Sequence, residues 1–167
     1  MSEQALEADL RGALAAMLPE LRAFARFLAG SRAEADDLVQ EALARSLAAL
    51  DGGARPGVPL RPWCLAVVRN VFHEQLRARK REALRRARTA EPSAAPAPQE
   101  AQGEVRDLAA AIARLPPLLR EAVILVGAQG LSYAEAATVI GVPEGTVKAR
   151  VSRGRRQLAA ALGRVSA

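Results

Sequence analysis

A stretch near the end of the chain, residues 131–156, restricts the fold more than any other segment. Ser132 is followed three residues later by Glu135, the spacing of a capping box, so a helix is expected to begin there. Gly141 then ends that helix, because glycine enters the left-handed backbone conformation at little cost. Pro143 lies where a second helix would begin, in a first turn that tolerates proline. This stretch is therefore predicted to be two helices joined by a tight turn.

The second helix of this pair is predicted to have one apolar and one basic side. Its apolar stripe has spacings of four, seven and four residues and consists of Val147, Val151, Leu158 and Leu162. The opposite side carries Thr146, Ala149, Ser152, Arg153 and Arg156. A short helix, a glycine-containing turn and a basic second helix are typical of the helix-turn-helix, whose second helix enters the major groove of DNA. A helical hairpin with a solvated basic face is the simpler alternative.

The charge of the chain is sorted into blocks. The 167 residues carry a formal net charge of +6, yet residues 1–60 hold six basic and nine acidic side chains. Residues 61–88 hold nine basic and two acidic side chains, and residues 142–167 hold six and one. Two basic blocks on a near-neutral or acidic background indicate two separate contacts with one polyanion, such as a nucleic acid.

The composition predicts an all-α fold in two small domains. Half of the chain is apolar and much of that is alanine, with no alternating pattern that would indicate strands. Residues 89–103 are rich in Pro, Ala, Glu and Gln, which predicts a flexible linker. This linker would separate a helical domain over residues 1–88 from a second one over residues 104–167, which ends in the helix-turn-helix.

Several function classes are excluded by what the sequence lacks. Cys64 is the only cysteine, so it is expected to be a buried small hydrophobe in a reducing compartment. His73 is the only histidine and completes no ligand set with Cys64, so neither a metal nor a cofactor is predicted. The sequence has no paired carboxylates in a cleft-like context, no Ser/His/Asp set and no Gly-rich phosphate loop. An enzyme is therefore not predicted. The sequence shows no signal peptide and no apolar run of about 18 residues, so we expect a cytoplasmic protein that does not insert into a membrane. We also expect it to be a monomer when free.

Three segments, in this order along the chain, resemble bacterial sigma factors of the extracytoplasmic-function (ECF) group. Residues 36–42, which begin Asp-Asp-Leu-Val-Gln-Glu, are similar to the region-two helix that grips the clamp helices of RNA polymerase. Residues 61–72 and the basic residues after them are similar to the helix that binds the minus-ten element. Residues 115–156 are similar to region four, and residues 147–155 are close to its recognition helix. The resemblance covers nearly the whole chain.

The resemblance implies a factor that directs promoter recognition, melting and transcription initiation, with a role for each residue group. Core RNA polymerase would bind Asp36, Asp37, Gln40, Glu41 and Arg45. The minus-ten element, with its melted non-template strand, would bind Trp63, Arg69, Asn70, His73, Arg77, Lys80 and Arg81. The double-stranded minus-thirty-five element would bind Glu144, Thr146, Lys148, Ala149, Arg150, Ser152, Arg153, Arg155 and Arg156. Of these, Lys148, Arg150, Arg155 and Arg156 are assigned to phosphates, which position the protein without specifying sequence.

Residues 18–25 and 121–133 further resemble the general-stress (EcfG-type) sigma factors of alphaproteobacteria. That resemblance implies a small anti-sigma factor as a partner, released by a phosphorylated response regulator with a sigma-like domain. Cys64 stands where leucine is usual in the family, and Gly154 where alanine is more frequent. Because glycine costs about 1 kcal/mol of helix stability relative to alanine, Gly154 predicts a softer recognition helix.

Two other functions remain as alternatives. A stand-alone helix-turn-helix regulator would explain residues 104–167, but it leaves the basic block at 61–88 and the acidic face at 36–45 without a role. A sigma mimic that sequesters an anti-sigma factor would lose the basic DNA-contacting residues or carry a receiver domain. This chain keeps those residues, and no receiver domain is expected within its 167 residues.

Overall fold

A computed structural model describes residues 3–54, 56–88 and 104–163, and every regular element within these ranges is a helix. The predicted all-α class is therefore confirmed. The helices are α1 (Glu3–Ala16), α2 (Leu18–Leu28), α3 (Arg32–Asp51), α4 (Leu60–Ala87), α5 (Glu104–Arg114), α6 (Pro117–Val123), α7 (Tyr133–Ile140) and α8 (Glu144–Gly163). A π-helical turn, Ile124–Ala128, continues α6. The predicted linker, residues 89–103, lies outside the described residues, so the domain boundaries stay predictions.

Helices α1 to α4 pack around a shared apolar core. Pro19 lies in the first turn of α2, where its missing N–H is not needed, and α1 and α2 are separated there at Met17. Ser31 caps α3, because its hydroxyl accepts a hydrogen bond from the backbone N–H of Glu34 at 3.2 Å. The core contains the buried side chains Leu14, Phe24, Leu38, Leu65 and Val68. Cys64 is only 1% exposed in this core, which confirms the prediction of a buried cysteine.

The C-terminal half of the chain, described over residues 104–163, contains the predicted helix-turn-helix, α7 and α8, whereas α1 to α4 form the N-terminal half. Ser132 Oγ accepts a hydrogen bond from the backbone N–H of Glu135 at 3.1 Å, and Glu135 Oε2 accepts one from the backbone N–H of Ser132 at 2.8 Å. Gly141 ends α7 with a φ of 78°, and α8 begins directly after Pro143. The predicted apolar stripe of α8 is confirmed, because Val147, Val151 and Leu158 are buried and Leu162 is half-buried.

Replacing Ser132 with alanine should lower the free energy of unfolding by about 1 kcal/mol, because an N–H group at the start of α7 loses its acceptor. The hydrogen bonds from Ser132 also lower the pKa of the Glu135 carboxyl below its usual 4.5. A lowered pKa stabilises the fold above 4.5, and this stabilisation is lost as the pH falls through the lowered value. Ser132→Ala keeps the larger contribution, from the backbone N–H, and removes only that of the side chain, so urea unfolding should reveal a deficit only slightly larger at pH 7 than in acid. Ser152→Ala, at an exposed position on α8, should produce no deficit.

The two halves of the chain pack against each other. Helix α7 lies on α4, and the π-helical turn contacts α2. Buried side chains from both halves, among them Val68 and Val71 on one side and Leu125 and Val139 on the other, join one continuous apolar cluster. Helices α5 and α6 in turn pack on α8. In the described part of the chain, each helix is too short or too polar to cross a lipid bilayer.

Candidate nucleic-acid interface

The solvent side of α8, the second helix of the helix-turn-helix, presents several basic side chains. Lys148, Arg153, Arg155 and Arg156 are exposed on it, as are Glu144, Ala149 and Ser152. Lys148 Nζ lies 2.7 Å from Glu144 Oε1 and 5.6 Å from the centre of the Tyr133 ring, so this ammonium is held over α7. The hydrogen bond to Glu144 raises the pKa of Lys148, because it favours the charged ammonium.

Two residues of the predicted minus-thirty-five group are less open than the rest. Thr146 is half-buried. Arg150 is also half-buried, and its Nη1 is enclosed without a hydrogen-bond partner among the described residues. Arg153, in contrast, extends from the exposed side, and among the residues that the structure describes it donates only from Nε, to the carbonyl oxygen of Ala149 at 3.3 Å. Its terminal nitrogens remain available to a ligand. The open members of the group therefore centre on Arg153.

Gly154 lies at a close contact between the recognition helix and α6, a packing role that the expectation of a softer helix did not include. The residue is buried on the same stripe as Val147 and Val151. A Cβ atom at this position would lie closer than 3.0 Å to Cγ2 of Val123 and 3.6 Å from the carbonyl oxygen of Leu119. The missing side chain therefore allows α8 to approach α6 closely. This tertiary requirement leaves no trace in the local periodicity of the sequence.

The predicted minus-ten group on α4 is divided by the structure. Asn70, Arg77, Lys80 and Arg81 are exposed. Trp63 is half-buried and packs against the apolar core, so only part of its ring is accessible. Arg69 and His73, which belong to the same group, are covered by the C-terminal half of the chain. This group therefore consists of an open part and a covered part.

The residue that covers Arg69 and His73 is Glu121 of α6. Arg69 donates from Nε to Glu121 Oε1 at 2.5 Å and from Nη2 to Glu121 Oε2 at 3.2 Å. His73 Nε2 lies 3.4 Å from the same Oε1 atom. The side chains of Glu121, Arg69 and His73 are 5%, 17% and 29% exposed. Glu121 belongs to none of the predicted site groups, although an acidic residue among the apolar residues Leu119, Ala122 and Val123, all buried, was a usable signal.

Arg61 makes a second polar link between the two halves. Its Nε donates to Glu20 Oε1 at 2.8 Å, and its Nη2 donates to the backbone carbonyl oxygen of Gln129. The hydrogen bond to Glu20 raises the pKa of the Arg61 guanidinium. The start of α4 is thereby connected to α2 and to the end of the π-helical turn. Arg61 was absent from the predicted site groups, and its partners are too distant in sequence for any local pattern to reveal them.

The exposed polar side of α3 contains the residues predicted to bind RNA polymerase. Asp37, Gln40, Glu41 and Arg45 are exposed, and Asp36 is half-buried beside them. Arg45 donates from Nε to Glu41 Oε1 at 2.7 Å and from Nη1 to Glu74 Oε2 at 2.6 Å, and these contacts raise its pKa. The five residues, which we call the α3 polar face, form one surface. Among the described His, Cys, Asp and Glu side chains, no group of three lies close enough to hold a metal ion.

Two family models match the chain in succession. The model for sigma-70 region 2 matches residues 14–82, which contain α2, α3 and most of α4. The model for sigma-70 region 4 matches residues 106–158, which contain the helix-turn-helix. Both exposed basic surfaces described above therefore lie within matched regions.

Whole-chain comparisons agree with these matches. The chain is 42% identical over 160 residues to the ECF RNA polymerase sigma factor EcfG of Rhodopseudomonas palustris, an alignment that covers 92% of this chain and 85% of the relative. Among solved structures, the sigma factor RpoE in complex with the anti-sigma factor NepR from Bartonella quintana matches with a TM-score of 0.78 and 38% identity, over 93% and 97% of the two chains. CnrH in complex with the cytosolic domain of CnrY matches with a TM-score of 0.68 and 26% identity, over 95% and 94%.

Proposed function

The chain belongs to the ECF group of the sigma-70 family of RNA polymerase sigma factors, and from this premise we propose how its surfaces divide the work of initiation. The protein binds core RNA polymerase and directs promoter recognition, melting and the start of transcription. The observation that carries this function is the succession of a region-2 match and a region-4 match in one chain, each with an exposed basic helix. No catalytic step is assigned to its residues, and it acts in the cytoplasm, where the polymerase works.

The α3 polar face is assigned to core polymerase. Its residues are exposed side by side, and Arg45 is held in place by Glu41 and Glu74, so the surface is ordered before a partner arrives. Charged side chains fixed in this way favour one orientation of a complementary partner over others. The exposed acids Asp37 and Glu41 suit a partner surface that is basic.

The exposed side of α8 is assigned to the minus-thirty-five element. A recognition helix places side chains from its early turns against base edges, and Ala149, Ser152 and Arg153 are exposed there. Arg155 and Arg156 lie further along the helix and are assigned to phosphates. The open residues of α4, namely Asn70, Arg77, Lys80 and Arg81, are assigned to the minus-ten region, where the strands separate.

Replacing Arg153 with alanine should weaken binding to a promoter duplex by about 5- to 150-fold, because a specific base contact contributes about 1–3 kcal/mol. Binding to core polymerase should not change. Fluorescence anisotropy with the duplex and surface-based binding to the polymerase measure the two effects separately. Arg114→Ala removes the same charge from an exposed position on α5 and should leave both affinities near those of the wild type. Equal loss of polymerase binding in Arg153→Ala would refute this division of labour.

A small anti-sigma protein is proposed as the regulator of this sigma factor. The structural relative from Bartonella quintana is itself in complex with the anti-sigma factor NepR, and it matches both halves of this chain in one superposition. The packing of the two halves described here is therefore compatible with an anti-sigma complex. The similarity to EcfG along most of the chain supports a role in stress-response genes.

The test of the proposed function is transcription by purified bacterial core polymerase, with and without the protein, on a supercoiled library of random promoters. Specific starts that share two spaced sequence elements are expected, and they would define the promoter. Binding to duplex DNA without any specific starts would instead favour a stand-alone regulator. Neither starts nor DNA binding, together with tight capture of an anti-sigma protein, would favour a sigma mimic.

A further inference from the structure

A basic stripe along α4 is half covered by the other half of the chain. Arg69, His73, Arg77 and Arg81 recur every four residues and so lie on one side of the helix. Arg77 and Arg81 are exposed, whereas Arg69 and His73 face the carboxylate of Glu121. The stripe therefore runs from open solvent into the contact between the two halves.

The chemistry of this contact imitates that of a nucleic acid. A guanidinium binds carboxylates and phosphates in the same bidentate geometry, and Arg69 donates to Glu121 through both Nε and Nη2. Glu121 is 5% exposed, and a buried carboxylate is tolerated only when it is paired. The two side chains that face it, Arg69 and His73, both come from α4, so the pairing depends on contact between the halves.

We propose that Glu121 is an internal competitor for nucleic acid: it occupies Arg69 and His73 in the closed chain and leaves them only when α6 moves away from α4. The closed protein then inhibits its own binding to single-stranded DNA. The inference rests on the proposed function only for the identity of the DNA, because the competition applies to any polyanion that reaches the stripe.

The competition has two linked consequences. If only the open form uses the whole stripe, the apparent affinity for DNA is reduced in proportion to the open fraction. Conversely, DNA that binds Arg69 and His73 must shift the chain toward the open form, since a ligand favours the state that it binds better. Affinity and opening can be measured independently, so each consequence provides its own test.

The first test compares three variants of the full chain for binding to a fluorescein-labelled single-stranded DNA of random sequence, about 20 nucleotides long. Glu121→Gln keeps the shape of the side chain but loses the charge, and it should bind about tenfold more tightly than the wild type. Arg69→Ala breaks the same contact but also removes the DNA ligand, so it should not bind more tightly. Asp107→Asn changes the net charge equally at an exposed position on α5 and should stay within about twofold.

The second test measures opening by energy transfer between dyes on Ala15→Cys and Ala160→Cys, two exposed positions in opposite halves; the buried Cys64 stays unlabelled. Energy transfer should fall in Glu121→Gln and in Arg69→Ala, and also when the same DNA is titrated into the wild-type chain. The wild-type titration decides the matter even if a variant misfolds. Unchanged transfer at saturating DNA, or opening in Glu121→Gln without tighter DNA binding, would overturn the proposal. Absence of transcription with both effects present would refute the sigma function alone.

Discussion

Replacing Gly154 with alanine is expected to lower the free energy of unfolding by a net amount of about 1–2 kcal/mol, although alanine is the better helix former. The added Cβ would lie inside the van der Waals distance of Cγ2 of Val123, and a β-branched side chain has few rotamers in which to move away. The gain in helix propensity, about 1 kcal/mol, is smaller than the usual penalty of forcing a methyl group into a packed contact. Urea unfolding followed by circular dichroism measures the difference.

A matched control for this prediction exists in the same helix. Gly145 is exposed in the first turn of α8, and a Cβ there would meet no atom within 4 Å. Gly145→Ala should therefore leave the stability unchanged or raise it. The double variant Gly154→Ala with Val123→Ala should lose less stability than the sum of the two single losses, because the two changes share one contact and their effects cannot add independently. A Gly154→Ala protein as stable as the wild type would contradict the close packing of α6 and α8.

The elements that could be predicted from the sequence are those fixed by neighbouring residues. The capping box of Ser132 and Glu135, the left-handed Gly141 and the apolar stripe of α8 each depend on a few consecutive turns, so spacing alone identified them. The all-α class followed from composition in the same way. The resemblance to sigma factors then predicted region 2 in the first half of the chain and region 4 in the second. The family matches over residues 14–82 and 106–158 confirm this order.

What the sequence did not reveal depends on contacts between residues far apart in the chain. Arg69 and Glu121 are separated by 52 positions, and Arg61 and Gln129 by 68. Their pairing follows from the packing of α7 against α4, which buries apolar side chains from both halves together. A helical pattern identifies which side of a helix is apolar, but it does not identify the partner that covers this side. The predicted minus-ten group therefore mixed open and covered residues.

Gly154 illustrates the same limit within one domain. Judged by helix propensity, it predicted a softer recognition helix, because propensity describes an isolated helix. In the folded protein its missing side chain lets α8 approach Val123 and Leu119, and tertiary packing outweighs the local preference. The polymerase-binding role of the α3 polar face remains a prediction, because exposure on a common surface is necessary for such a role but does not identify the partner.

The thiol of Cys64 should react with a disulfide reagent at pH 8 at a rate at least a thousandfold below that of an exposed cysteine. Burial raises the pKa of this thiol from its ordinary 9.0 to about 12, with a smaller contribution from the charge of Glu20. Only the thiolate is nucleophilic, and its fraction at pH 8 falls on the order of a thousandfold for a rise of three pKa units. The 1% exposure of the side chain also excludes the reagent itself.

The reaction of Cys64 is therefore expected to report opening of the core around α4. The absorbance of released thionitrobenzoate should remain flat for the native chain. In urea it should rise to the value for one equivalent of thiol per chain. A second thiol introduced by Ala160→Cys, on the exposed side of α8, provides the reference rate in the same molecule. Because the raised pKa stabilises the fold below pH 9 and this contribution is lost between pH 9 and about 12, alkaline unfolding should be shifted upward in Cys64→Ala. Rapid labelling of Cys64 under native conditions would contradict its burial beside Leu65 and Val68.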